Sequence, residues 1–152
     1  MSYLFKGGDY LIASVSGSQT TNLTSGSHVE FNVFYRRGTS ISCATTGSGQ
    51  QNGIFTLAPN KVYELYFSFL QEINEGSWSM LWSNADGSNL ADATGKYVRT
   101  FGIDNIATDT STLMVGSIIL APTESISIKL NTWAATNPVS HYAGSKVYIK
   151  EI

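Results

Sequence analysis

The sequence is short of charge, cysteine and long apolar runs, and each shortage excludes a class of protein. Only 13% of the 152 residues are charged, against about 25% in ordinary domains. A net charge of -2 leaves no basic field for nucleic acid and no polybasic patch for a membrane surface. The single cysteine, Cys43, excludes an internal disulfide. No apolar run approaches the roughly 18 residues that span a bilayer.

The start of the chain also lacks the features of a targeting signal. Residues 1–9 have neither the charged start nor the apolar stretch of a signal peptide. We therefore expect the product to be made in a cytoplasm and used as translated. A length of 152 residues corresponds to one domain, and it is enough to bury a core without disulfides.

The sequence does contain short stretches of alternating apolar and polar residues, separated by turns rich in glycine, asparagine and serine. This pattern, with no helical period of useful length, predicts an all-β sandwich. Residues 17–27, 45–52 and 134–144 are predicted to be polar loops, and residues 36–38 a turn. The predicted strands are residues 10–15, 28–35, 39–44, 54–57, 62–70, 78–82, 97–103, 112–120, 124–133 and 145–152.

Residues 53–70 are the stretch around which the remaining strands are predicted to be organised. Two strands are expected here, joined by a turn at residues 58–61 that uses Pro59 and Asn60. The odd positions of the second strand form a continuous apolar row that faces the core. They are Tyr63, Leu65, Phe67 and Phe69. The even positions Tyr66 and Leu70 keep the other face partly apolar, which suggests contact with another chain.

The same stretch resembles the central motif of the tumour necrosis factor and complement globular-head superfamily. Segments 29–33 and 117–130 are similar to the strands that flank the motif, so the resemblance covers about residues 28–152. Lys61 replaces the glycine that usually stands two places before the motif's tyrosine. The resemblance implies a jelly-roll sandwich that assembles as a tight homotrimer around aromatic residues. The motif positions matched are Gly53, Phe55, Pro59, Tyr63, Leu65, Phe67 and Phe69.

The resemblance and the apolar residues on both strand faces together predict a trimer interface at Tyr63, Tyr66, Tyr148 and Ile152. A strand with apolar side chains on both faces needs two covers, and the second cover is expected to be a neighbouring subunit. The alternative is edge or end packing within one subunit. Residues 9–152 are expected to form the single jelly-roll domain, and residues 1–8 either an N-terminal arm or a first edge strand.

Residues capable of catalysis are few, so we expect no enzyme, no metal and no other cofactor. His28 and His141 have no cysteine or histidine at metal-ligand spacing, and we expect them to be satisfied or exposed. Cys43 is expected to be a small buried apolar residue. Asp86 and Gly87 predict a tight turn rather than a calcium loop, because the closing glutamate is missing.

The tryptophans are candidates for a sugar-stacking platform. They are Trp78, Trp82 and Trp133. However, Trp78 and Trp82 share a strand face with Met80, which favours a core row. The three long polar loops are the better candidates for a binding surface, since loops vary without disturbing a sandwich.

The expected function follows from the resemblance. Secreted superfamily members carry a signal or membrane anchor and the complement type follows a collagen stalk, whereas this chain looks more like the trimeric jelly rolls on virus particles. We expect a phage capsid decoration (cement) protein on the capsid surface of a virion, with no nucleic-acid or membrane partner. Tyr3, Leu4 and Phe5 of the arm are expected to dock on the major capsid protein or another virion component. The alternative is a receptor- or glycan-binding head of a fibre or spike, with a host-surface glycan as partner.

Overall fold

The computed structural model describes most of the chain. None of the described residues lies in a helix, and so none belongs to a helix long and apolar enough to cross a bilayer. The arm residues Tyr3, Leu4 and Phe5 lie outside the described part of the chain. The described residues are 8–16, 19–23, 28–45, 51–73, 76–98, 101–106, 110–135, 139–141 and 144–152.

Twelve β-strands are seen in the described residues. In chain order they are β1 (Tyr10–Ser14), β2 (Gln19–Leu23), β3 (Val33–Arg37), β4 (Ile41–Thr45), β5 (Gln51–Leu57), β6 (Tyr63–Ile73), β7 (Gly76–Asn84), β8 (Phe101–Ile106), β9 (Thr110–Leu120), β10 (Ile126–Ala135), β11 (Val139–His141) and β12 (Lys146–Glu151).

The strands form two antiparallel sheets that pack against each other. The larger sheet has seven strands in the order β2-β11-β6-β12-β1-β3, with β9 also paired to β6. The smaller sheet has five strands in the order β4-β5-β10-β7-β8. The prediction of an all-β sandwich is therefore confirmed.

Strand β6 is the most connected strand of the larger sheet. Its residues Tyr63–Ile73 pair with β9 along one edge. Along the other edge, residues 63–68 pair with β12 and residues 71–73 pair with β11. The prediction that the chain is organised around this stretch is confirmed for β6.

The core lies between the two sheets and is rich in aromatic rings. Phe31 lies 5.8 Å from Phe55 and 6.1 Å from Phe69, centroid to centroid, and Phe55 lies 6.2 Å from Trp82. Tilted and edge-on contacts at these distances stabilise a core beyond the area that they bury. The odd-numbered row of β6 is completely buried, as predicted; it consists of Tyr63, Leu65, Phe67 and Phe69.

The turn between β5 and β6 carries the chain from the smaller sheet to the larger one. Asn60 adopts a φ of 60°, the left-handed conformation that its short polar side chain tolerates. Gly53 has a φ of 70°, and a Cβ atom there would collide with the Val29 carbonyl oxygen. The glycine of the motif is thus required by both its conformation and the close approach of Val29.

One end of the sandwich, which we call the terminal end, holds both ends of the described chain. The Glu151 N–H donates to the Asp9 carbonyl (2.8 Å), and the Ile152 N–H donates to the Val62 carbonyl (3.0 Å). The opposite end, the loop end, holds the strand ends beside the three predicted polar loops. The terminal end comprises Gly8, Asp9, residues 38–40, 58–62 and 121–125, and Ile152.

Two of the predicted polar loops contain strands, which corrects the sequence assignment. Strand β2 (Gln19–Leu23) lies within residues 17–27, and β11 (Val139–His141) lies within residues 134–144. The two short strands pair with each other, and β11 also pairs with β6. Arg36 and Arg37 lie in β3 rather than in a turn, which begins only at Gly38.

The segment before and within β3 changes its facing side. The alternation of residues 28–35 in the sequence predicts Val29, Phe31, Val33 and Tyr35 on one face. Val29 and Phe31 are buried in the core, but Tyr35 is 64% exposed. Phe34 packs against the core in its place. The break lies at Asn32, whose side chain accepts from the Ser16 N–H (2.8 Å) and donates to Ser16 Oγ (2.7 Å).

Candidate functional site: the outer face of the larger sheet

The outer face is the side of the larger sheet that points away from the core. Register places four side chains in one line across it, from β6 through β12 and β1 to β3. This cross-sheet row consists of Tyr66, Tyr148, Ile12 and Tyr35. The rings of Tyr66 and Tyr148 lie 5.8 Å apart and are tilted by 55°. Aromatic and β-branched cross-strand neighbours of this kind stabilise a sheet.

Charged residues flank the cross-sheet row. Glu64 on β6 faces Lys150 on β12, and Lys150 in turn faces Tyr10 on β1. On the other side of the row, the Lys146 amine lies 5.6 Å from the centroid of the Tyr148 ring. The positive charge of a lysine is attracted to the face of an aromatic ring at this distance. The outer face is therefore an aromatic and aliphatic band with a polar border.

A second group of apolar side chains extends the outer face to its β9 edge. Leu113, Val115 and Ile119, which we call the β9 stripe, are 62%, 50% and 46% exposed. Leu70 of β6 lies opposite Leu113 and is also exposed. Scattered apolar residues on a surface are normal, but a contiguous set that continues an aromatic row marks an interaction site.

A shallow groove of about 370 Å³ runs along the outer face. The groove is lined by three residues of the cross-sheet row, Tyr66, Tyr148 and Ile12. Glu64 and Lys150 also line it. Leu11 and Ile149, which are buried in the core, also contribute to its lining. A side chain from another molecule has room to enter here.

An interface residue must be at least partly accessible in the single chain. Three of the predicted interface residues meet this condition, namely Tyr66, Tyr148 and Ile152. The first two occupy the cross-sheet row, and Ile152 is exposed at the terminal end. Tyr63 does not share this position and is corrected. It is completely buried in its own chain, and its hydroxyl donates to the carbonyls of Ala58 (3.0 Å) and Ser40 (3.2 Å).

The hydroxyl of Tyr63 belongs to a polar network at the terminal end. Glu151 accepts from the Lys61 amine (2.6 Å) and from the Ser40 hydroxyl (2.9 Å). The Asp9 carboxylate accepts from the N–H groups of Ser40 (2.7 Å) and Thr39 (2.8 Å). The network ties both ends of the described chain to the turn at residues 38–40.

The pKa values in this network follow from its hydrogen bonds. The Ser40 N–H lowers the pKa of Asp9, and the Lys61 amine lowers the pKa of Glu151. The same hydrogen bond raises the pKa of Lys61. Burial raises the pKa of the Tyr63 phenol. These groups hold the terminal end together, and sequence reasoning did not identify them because they come from four separate segments.

The other residues considered for chemistry are not brought together. Cys43 packs against the core as predicted, and burial raises the pKa of its thiol to about 12. His28 is half-buried beside Asn131, and its Nε2 has no hydrogen-bond partner among the described residues, so it is neither satisfied nor exposed. His141 pairs through its backbone with Gln71, and its side chain lies outside the described part.

The core row that the sequence favoured over a tryptophan platform is confirmed for Trp82 and Met80. Trp82 is completely buried between the sheets beside Met80, so its ring is not available to a ligand. The side chains of Trp78 and Trp133 lie outside the described part of the molecule. The predicted turn at Asp86 and Gly87 is confirmed, since the Asp86 carboxylate accepts from the Ser88 N–H (2.8 Å) and Gly87 has a φ of 88°.

No protein-family model matches the sequence, and the comparison with curated proteins finds no match. Solved structures do match. The globular domain of zebrafish complement 1qA protein has a TM-score of 0.61 and 13% identity, over 95% of each chain. Murine APRIL at pH 5.0 has a TM-score of 0.59 and 14% identity, over 96% of this chain and all of that one.

A third solved structure, Eiger TNF from S. frugiperda, has a TM-score of 0.56 and 12% identity, over 95% of this chain and 91% of that one. At such identities the likeness shows the fold. The chain is a TNF-like jelly-roll sandwich, and the resemblance stated from residues 53–70 is confirmed at the level of fold. The match extends to nearly the whole chain, beyond the residues 28–152 that the sequence resemblance covered.

Proposed function

We propose that the chain is a non-catalytic protein that associates through the outer face of its larger sheet into a homotrimer. The observation that carries this proposal is the cross-sheet row together with the β9 stripe, an apolar surface that one chain leaves uncovered. A second copy supplies a cover of the same length and chemistry. The TNF-like fold supports the proposal, since the resemblance to that superfamily implies a trimer.

The biological role that we propose is decoration of a virus capsid. The trimer lies on the capsid surface of the virion, having been made in the host cytoplasm, and it stabilises the capsid by shape and polar complementarity. Three linked contacts raise the avidity of each trimer without any new kind of interaction. Support comes from the low charge and from the resemblance to jelly rolls on virus particles.

The docking element in this proposal is the N-terminal arm with Tyr3, Leu4 and Phe5. The arm ends at Gly8, which is half-buried beside the Glu151 carbonyl at the terminal end. A chain that lacks residues 1–8 should keep its fold and its trimer but lose binding to the capsid of the virus that encodes it. Cosedimentation with those capsids measures the binding. Loss of the trimer itself would show that these residues are part of the sandwich, not an arm.

The self-association is tested by substitution within the cross-sheet row. Tyr66→Lys places a charge in the middle of the row, beside Tyr148, and should lower the mass in solution to that of one chain without unfolding it. Tyr97→Lys is the matched control, because Tyr97 is an exposed tyrosine that is not on the outer face. Light scattering gives the mass, and circular dichroism confirms the fold. Equal masses for the two variants would contradict the proposed interface.

The second candidate function is a receptor- or glycan-binding head of a fibre or spike. The specific observation in its favour is that the strand ends beside all three polar loops lie together at the loop end. Variable loops gathered at one end of a rigid sandwich are a common arrangement for recognition. In this case the partner is a host-surface molecule rather than a capsid protein.

A further inference from the structure

A second groove lies at the terminal end, away from the outer face. It has a volume of about 390 Å³, within the range of small-molecule sites. One wall is the segment that follows β7, residues 84–92, and the other is the connection from β9 to β10, residues 120–126. We call it the terminal groove.

The first wall of the terminal groove is held in place by its own side chains. The Asn84 amide donates to Ser88 Oγ (3.0 Å) and to the Asn89 carbonyl (3.0 Å). The Asp92 carboxylate accepts from the N–H and the hydroxyl of Thr94, at 2.8 and 2.7 Å. A wall fixed in this way does not have to be ordered when a ligand binds, so less binding free energy is lost.

The second wall is fixed to neighbouring segments by its backbone. The Pro122 carbonyl accepts from the Asn60 N–H (2.8 Å), and the Ile119 carbonyl accepts from the Ala93 N–H (2.9 Å). Ile119 directly precedes this wall and Ala93 directly follows the first one, so the latter bond ties the two walls together at one end. The terminal groove is therefore preorganised on both sides.

The lining combines an apolar floor with a polar rim. Leu90 and Leu120 are buried, and they form the floor. Asn89, Thr123 and Glu124 are exposed at the rim, and their side chains make no hydrogen bond within the described part of the chain. An amide, a hydroxyl and a carboxylate are thus free to bind a ligand that carries several hydroxyl groups.

An exposed aromatic side chain is paired with the first wall of the terminal groove. Tyr97 pairs with Ala91, a residue that lines the terminal groove. Side chains of directly opposed residues lie on the same side of a strand pair. The Tyr97 ring is 68% exposed, so its apolar face is available to stack on a ligand and its hydroxyl to bind one.

The chemistry of the lining argues against anions, metal ions and wholly apolar ligands. No lysine, arginine or histidine lines the groove, so it lacks the groups that recognise phosphate or sulfate. Among the described residues, no three acidic, histidine or cysteine side chains lie close enough to hold a metal ion. A wholly apolar ligand would leave the polar rim unpaired, which costs binding free energy.

We propose that the terminal groove binds a neutral saccharide. The C–H face of a sugar ring lies on the apolar floor or on Tyr97, and its hydroxyls bind the side chains of Asn89, Thr123 and Glu124. This inference takes from the second candidate function only the class of partner, a glycan, and it places the site at the terminal end, opposite the loops that favoured that function. It also separates the two functions. Docking of the arm and saccharide binding use the same end of the molecule, so a bound saccharide favours a recognition head over capsid decoration.

An array of immobilised oligosaccharides with mannose, galactose and N-acetylglucosamine termini tests the proposal on the full chain. We expect saturable binding to at least one neutral saccharide. Affinity should fall at least tenfold in a variant that carries Asn89→Ala and Glu124→Ala, and in Tyr97→Ala. All three residues are exposed, so the fold should survive. Thr39→Ala is the control, since Thr39 is exposed and neither lines the groove nor lies on the outer face, and it should bind like the unsubstituted chain.

Two results would overturn the saccharide proposal. One is the absence of binding across the array, and the other is binding that the groove variants leave unchanged. Spermidine, offered at the same concentrations, tests whether the acidic side chains of the groove, Asp92 and Glu124, bind cations instead. Binding of spermidine but of no saccharide would also overturn the proposal. The mass of each variant is measured in parallel, so failure of self-association and failure of the saccharide site are read separately.

Discussion

At the scale of single residues, Gly53 gives the sharpest test of the central motif. Gly53→Ala forces a side chain into a left-handed conformation and against the Val29 carbonyl, and should lower the free energy of unfolding by about 3 kcal/mol. Gly87→Ala is the matched control, because Gly87 also has a positive φ but no atom lies within 4 Å of its Cβ position. Its cost should be about 1 kcal/mol. Urea unfolding measures both values, and equal losses would contradict the close packing at Gly53.

Asp9 and Glu151 give the terminal end a dependence on pH. Both carboxyls have a lowered pKa in the folded chain, from ordinary values of 3.8 and 4.5. The stability that they contribute is therefore fully present above those ordinary values and is lost as the pH falls through the lowered ones. Lys61 has a raised pKa, so its contribution is present below the ordinary value of 10.5 and is lost only as the pH rises through the raised one.

In Asp9→Asn, the stability of the fold should decrease less steeply as the pH falls on the acid side. Thermal unfolding followed from neutral pH to about pH 3 measures the slope. The variant is expected to be less stable at neutral pH and to lose less stability on acidification. Glu124→Gln serves as the control, since the Glu124 carboxylate is exposed and has no partner within the described residues. An unchanged slope in Asp9→Asn would show that the network at the terminal end does not set the acid response.

At the scale of elements, β3 shows where alternation misleads. Phe34→Ala should lower the free energy of unfolding by about 2 kcal/mol, less than the 3–5 kcal/mol of a fully buried ring, whereas Tyr35→Ala should change it by less than about 0.5 kcal/mol. The measurement belongs in the Tyr66→Lys background, where association does not contribute. A larger loss of unfolding free energy for Tyr35→Ala than for Phe34→Ala would contradict the observed burial and support the alternation predicted from the sequence.

The sequence predicted β6 well and β3 poorly for a physical reason. In β6 every second residue is bulky and apolar, so burial of the odd row leaves a single register. In β3 the parity shifts at Asn32, whose side chain bonds with Ser16. That contact joins residues far apart in sequence, and no local pattern signals it.

The short strands β2 and β11 show the same limit. Their sequences are Gln-Thr-Thr-Asn-Leu and Val-Ser-His, polar and without a periodic pattern. They are strands because each has a neighbour to pair with, and strand propensity is decided largely by such neighbours. The terminal groove was missed for a similar reason, since its walls come from segments about 30 residues apart.

At the scale of the whole molecule, the fold was predictable, and so was the accessibility of three of the four candidate interface residues. Tyr66, Tyr148 and Ile152 follow from apolar residues on the second face of a strand or at its end. Tyr63 was placed in the interface on its membership of the motif, although its parity assigns it to the core, where it lies. The odd position of Tyr63 in its strand predicted its burial correctly, because alternate residues of a strand point to opposite faces of the sheet.

The central claim is that the outer face is covered by copies of the same chain. The most direct test is the mass of the unsubstituted protein in solution, measured by light scattering during size exclusion and repeated after dilution. We predict a mass of about three times 16.5 kDa that persists on dilution. A mass of 16.5 kDa at every concentration would contradict the claim and leave the cross-sheet row and the β9 stripe as a surface for a different partner.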